Sequence, residues 1–110
     1  MNAKVPAKIR KLMKELKEGL LNTYGEQLKA VYLYGSYARG DYRPGSDVDV
    51  MILLSDYADY WKEWKRSSDL VSDVSLKYDV TVSCILIKEI QWKHTDKPVL
   101  YNIRREGLPA

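Results

Sequence analysis

Two short apolar runs, AVYLY at residues 30–34 and DVDVMILL at residues 47–54, enclose twelve residues, GSYARGDYRPGS, that have the chemistry of turns. The first run is rich in β-branched and aromatic residues and stops at Gly35, so it predicts a short buried strand. Residues 36–40 then predict one helical turn, and Pro44-Gly45 is the strongest turn signal of the following segment, 41–46. The second run predicts another strand. Side chains alternate along a strand, so Asp47, Asp49 and Met51 share one face and Val48, Val50 and Ile52 the other. Two carboxylates therefore converge where a strand opens, close in sequence to a Gly-Ser pair where a strand ends.

The flanking chain fits a mixed α/β arrangement. At residues 4–24, Val5, Ile9, Leu12, Met13, Leu16, Leu20 and Tyr24 recur at helical spacing, and Gly25 is a plausible stop. The polar face of this helix is basic, with Lys4, Lys8, Arg10, Lys11, Lys14 and Lys17, which suits a solvated face or docking on an acidic partner. Residues 56–75 predict a crossover helix, broken near Ser67-Ser68, whose Tyr57, Tyr60, Trp61 and Trp64 form a stripe expected in the core. Residues 78–87, YDVTVSCILI, predict a third strand with Asp79, Thr81 and Ser83 on one face and Val80, Val82 and Cys84 on the other. Residues 89–97 are polar and mixed, and neither Trp92 nor His94 has an evident partner. Residues 98–106 predict a helix that starts on Pro98 and stops at Gly107.

A chain of 110 residues supports a single domain, 1–110, with no room for a second substrate-binding domain. No apolar run is long enough to span a bilayer, and the first residues have no signal-peptide pattern, so a cytoplasmic location is the default expectation. Cys84 is the only cysteine and reads as a small core hydrophobe; His94 is the only histidine, which excludes a histidine-pair metal site. The net charge of +3 comes without a block of like charge, so direct nucleic-acid binding is not expected.

The chemistry available is that of phosphate and hard metal ions. Gly35 lets the backbone approach a phosphate, and Ser36 offers an amide and a hydroxyl. Arg39 either contacts a triphosphate or forms an ion pair with Asp41 or Asp47. Mg²⁺ takes one or two carboxylates plus phosphate oxygens and water. Asp47 and Asp49 could bridge two such ions about 3.5–4 Å apart, which clamp the attacking and leaving oxygens of an in-line displacement. A third carboxylate on a neighbouring strand would hold the ion that activates the incoming hydroxyl, and Asp79 is the candidate.

Gly35-Ser36, ten intervening residues, Asp47-x-Asp49 and a third acid at Asp79 together resemble the polymerase-β-type nucleotidyltransferase superfamily. The longer match GSYARGDYRPGSDVDVMI, and the closing YNIRREG, are similar to the minimal nucleotidyltransferases, the MNT proteins. The resemblance implies an α+β fold, a small mixed sheet flanked by helices, with Mg²⁺-dependent transfer of a nucleoside monophosphate from a triphosphate to a hydroxyl. It further implies ATP as substrate and a partner HEPN-family toxin, adenylylated on a tyrosine, for which the chain would be the antitoxin. By the same resemblance Gly35 and Ser36 hold the triphosphate, Asp47 and Asp49 bind both metals, and Asp79 binds the catalytic metal. Two other functions fit the sequence: an antitoxin that neutralises by binding alone, and a small-molecule nucleotidyltransferase similar to the aminoglycoside-modifying enzymes.

Overall fold

A computed structural model describes residues 1, 3–94 and 97–110. Helix α1, Ala7–Tyr24, presents Ile9, Leu12, Met13, Leu16, Leu20 and Tyr24 as one buried stripe. A 3₁₀ turn at Gly25–Gln27 leads into strand β1, Leu28–Tyr34, and a single helical turn, α2, Ser36–Arg39, follows. Strand β2, Val48–Leu54, is antiparallel to β1. Helix α3, Tyr60–Tyr78, carries the chain back so that β3, Val82–Lys88, lies parallel to β2. The chain ends with α4, Glu89–His94, α5, Pro98–Glu106, and a two-residue strand β4, Leu108–Pro109, paired with β1. The sheet order is β3-β2-β1-β4, with both antiparallel and parallel pairs, as expected of a small mixed sheet.

Strand alternation divides the core in two. Val48, Val50, Ile52 and Leu54 face α1 and α3 with Val31, Leu33 and Leu86. Met51 and Leu53 face the opposite way, against Leu100 and Ile103 of α5 and alongside Tyr32, Tyr34, Ile85 and Trp92. Asp49 has the parity of Met51 and so belongs to the α4/α5 side of the sheet. Gly19 of α1 packs closely on Leu70 of α3: a Cβ there would lie 2.6 Å from Leu70 Cδ2.

Several expectations change. Helix α3 is not broken at Ser67-Ser68; Ser67 is buried and its hydroxyl donates to the Trp64 carbonyl, which satisfies it inside the helix. The buried line of α3 runs through Ser67 and Val74, with Tyr60, Leu70, Val71 and Tyr78 partly buried beside it, so Trp61 is 67% exposed and Trp64 38%. The helix starts late because Asp59 caps it, its Oδ1 accepting from the amides of Trp61 and Lys62. Trp92 does have partners: it stacks on Tyr32, and the Arg104 guanidinium lies over its ring. Cys84 is half-buried at the edge of the first core, where burial pushes its thiol up to about 12. The polar reading of residues 89–97 meets helix α4 over its first part, and at positions 95 and 96 it lies outside the described residues. No helix among the described residues is long and apolar enough to cross a membrane.

Candidate active site

The Gly-Ser turn and the Asp-x-Asp strand meet because β1 and β2 are antiparallel neighbours, with Tyr34 opposite Asp49. The next residue, Gly35, is buried with φ of 74°, and a Cβ there would lie 2.2 Å from Asp49 Oδ2. Glycine is thus required twice over, by its backbone conformation and by the carboxylate resting against it. The Gly35 carbonyl accepts from the amides of Ala38 and Arg39, which closes α2 and leaves Ser36 half-buried at its first position. The loop beyond is held by Tyr37 stacked on Tyr42 at 4.6 Å and by the Arg43 amide donating to Ser46 Oγ.

Asp47 is exposed immediately before β2, and Asp49 is half-buried within it. Neither carboxylate accepts a hydrogen bond or joins an ion pair among the described residues. Burial, then the charge of Asp47, raises the Asp49 pKa above its ordinary value, and Arg39 partly offsets this. Repelling, unpartnered carboxylates of this kind are relieved by a proton or a cation. Their hard oxygens, open to solvent on one side, fit one Mg²⁺ that completes its shell with phosphate and water. Tyr34 lies beside them, its hydroxyl pushed up to about 12 by burial and then by Asp49, so it remains a protonated donor at neutral pH.

Arg39 is engaged on both sides. Its Nε donates to Asp41 Oδ2 and its Nη1 to Glu106 Oε1, each at 3.1 Å. The Asp41 pair was one of the sequence alternatives; Glu106, at the end of α5, was invisible because it is 67 positions away. With Arg39 still close enough to act on Asp49, α5 is tied to the rim of the site.

The placement of Asp79 at the start of a strand requires a correction. Asp79 does not open β3, which begins at Val82; it is the residue after α3, in the left-handed conformation with φ of 53°. Its amide donates to the carbonyls of Leu76 and Ser75 and the Val80 amide to Ser75, the hydrogen bonding of a helix C-terminus in which aspartate takes a glycine's place. The strand-parity argument for Asp79 therefore fails. Its side chain lines a polar cleft of about 390 Å³ with Lys8, Tyr37, Thr81 and residues 44–46, and neither Asp47 nor Asp49 belongs to that lining. Among the described residues, no three acidic, histidine or cysteine side chains come together as a metal site.

The fold and this pair of motifs agree with what known proteins share. The profile of the family described as "Nucleotidyltransferase domain" matches residues 9–105. The chain belongs to this nucleotidyltransferase family. A Methanocaldococcus jannaschii protein named "Putative protein adenylyltransferase MJ0141" is 41% identical over 81 residues, 74% of this chain and 81% of the relative. Among solved structures, a toxin–antitoxin crystal structure with AMP-PNP contains a chain that superposes with a TM-score of 0.57 at 24% identity, over 93% of this chain and 68% of that one. A chain of the tri-AMPylated Shewanella oneidensis HEPN toxin in complex with MNT antitoxin superposes with a TM-score of 0.52 at 19% identity, over 89% and 70%. At these identities the superpositions establish the fold alone. Nucleotidyltransferase membership, carried by the profile and the relative, identifies the chain as an enzyme of that class.

Proposed function

We propose that the chain is a Mg²⁺-dependent adenylyltransferase that moves AMP from ATP to a hydroxyl, a tyrosine's, of a HEPN-type toxin, and thereby acts as its antitoxin. The observation that carries this reading is the unpartnered Asp47/Asp49 pair, with Asp49 packed against Gly35, in a chain of the nucleotidyltransferase family. The acceptor is suggested by the name of the archaeal relative and by the AMPylated toxin in the superposed complex. Residues 1–110 are read as one catalytic domain working in the cytoplasm, with the acceptor supplied by the partner protein.

In this mechanism Gly35 gives the triphosphate close access to the backbone, and the Ser36 amide and hydroxyl donate to it. Asp47 and Asp49 hold Mg²⁺, which supplies charge neutralisation on the phosphates and on the leaving group. The acceptor oxygen bonds to the α-phosphorus, the bond from that phosphorus to the α–β bridging oxygen breaks, pyrophosphate leaves, and the acceptor's proton passes to solvent. Rate enhancement comes from alignment and charge stabilisation. Arg39, with Nε and Nη1 held by Asp41 and Glu106, has its Nη2 donors left for a phosphate.

Incubation with α-labelled ATP, Mg²⁺ and the HEPN-type partner should add AMP to a partner tyrosine, located by mass spectrometry. A competent partner that stays unlabelled would rule out this acceptor. The reading of a non-catalytic antitoxin draws on the fact that, among the described residues, no third acidic group joins the aspartate pair as a metal cluster. Neutralisation of the partner in ATP-depleted conditions would favour it.

A further inference from the structure

The sheet register fixes what stands beside Asp49. On β1 its opposite number is Tyr34, and on β3 it is Ser83. Side chains at one level of adjacent strands project to the same face, so Ser83 occupies the nearest position on β3 from which a side chain could join the aspartates. The next residue of that parity, Ile85, is level with Met51 and packs in the second core. The preceding one, Thr81, lies before the strand, where its carbonyl accepts from the Val48 amide. None of the three carries a carboxylate. Asp79 lies in the cap of α3 and, among the described residues, does not join the aspartates in a three-group metal cluster, and both Asp41 and Glu106 are paired with Arg39.

A pair of divalent ions needs more oxygen ligands than one. Asp47, Asp49 and the triphosphate can serve the ion that accompanies the nucleotide. An ion on the other side of the pair would keep only bridging carboxylate oxygens and water, because the adjoining strand offers a hydroxyl in place of an anionic ligand. We propose that Ser83 limits this chain to a single divalent ion in its nucleotide complex, and that a second is held only when the acceptor protein brings a ligand of its own. The inference rests on the adenylyltransferase reading above. It makes metal loading part of acceptor recognition: the nucleotide complex waits with one ion, and water, lacking further ligands, does not complete the site.

The test counts Mn²⁺ bound to the chain saturated with α,β-methylene-ATP, whose α–β bridge cannot be cleaved, with no acceptor present. Electron paramagnetic resonance separates an isolated Mn²⁺ from the spin-coupled pair that two ions about 4 Å apart would give. The wild type is expected to bind one isolated ion per nucleotide. Ser83→Asp is expected to bind two with the coupled signal, and the uncharged Ser83→Asn to stay at one; Ser83→Glu replaces the Asp variant should that one fail to fold. A coupled pair in the wild type would overturn the proposal, and its loss in Asp79→Asn would then name Asp79 as the missing ligand. A Ser83→Asp protein that folds and still binds a single ion would overturn it as well. Nucleotide binding, followed separately by fluorescence, distinguishes these results from failure of the functional reading: a wild type that binds no nucleotide would remove both.

Discussion

Gly35 and Asp49 form the contact on which the site depends. Any side chain at position 35 must displace the Asp49 carboxylate, since its Cβ would lie 2.2 Å from Oδ2, and must also accept φ of 74°. Gly35→Ala is therefore expected to cost about 1–3 kcal/mol of stability and to abolish measurable nucleotide transfer; urea unfolding and a transfer assay report the two effects separately. Asp49 behaves oppositely. Its pKa is raised by burial and by Asp47, so the folded state binds its proton more tightly than the unfolded chain does. Stability consequently falls as pH rises from the ordinary aspartate range through the raised folded value, and the full penalty is present at neutral pH. Asp49→Asn is expected to stabilise the protein at pH 7 without divalent ions by no more than about 1 kcal/mol after solvent screening, read as a higher melting temperature. Added Mg²⁺ with nucleotide should stabilise the wild type and leave the variant unchanged, as thermal melts would show.

At the scale of elements, the end of α3 and its exposed aromatic residues test the corrected structure. Asp79 sits in a left-handed helix cap, a conformation that glycine adopts more readily. Asp79→Gly is expected to be neutral or stabilising by up to about 1 kcal/mol and to retain nucleotide binding; loss of binding in a folded variant would assign Asp79 to the site. Trp61→Ala should change stability by less than about 0.5 kcal/mol because the ring is largely exposed. Leu16→Ala, at a fully buried position of α1, should cost about 2–5 kcal/mol, and chemical denaturation compares the two.

These elements also show what the sequence can convey. The Gly-Ser turn and the Asp-x-Asp strand were legible because both depend on local rules, a glycine at a strand end and alternation along a strand. The face opposite the aspartates was legible for the same reason. The stripe of α3 was misplaced because its centre is a buried serine, Ser67, whose hydroxyl is satisfied within the helix; the tryptophans, more apolar, stand off that line. Asp79 was assigned to a strand because an acid ahead of VTVSCILI reads the same whether it opens the strand or caps the helix before it. Glu106 and Ser83 carry no local signal, since their relation to the site exists only through docking of α5 and the register of β3.

For the whole molecule, α1 and α3 support one face of the sheet while α4 and α5 pack on the face that carries Asp49, with Arg39 and Glu106 joining α5 to the turn after β1. The proposed adenylyltransferase uses this frame to hold nucleotide and metal and takes its acceptor from another protein. The most direct test is transfer of α-labelled AMP to the HEPN-type partner by the wild type and by Asp47→Asn/Asp49→Asn, both shown to be folded and to bind the partner. The wild type should label the partner in a Mg²⁺-dependent reaction, and the double variant should lose labelling by at least about 10³-fold. Equal labelling by the two proteins would contradict the account, as would a wild type that labels nothing with ATP, Mg²⁺ and a bound partner present.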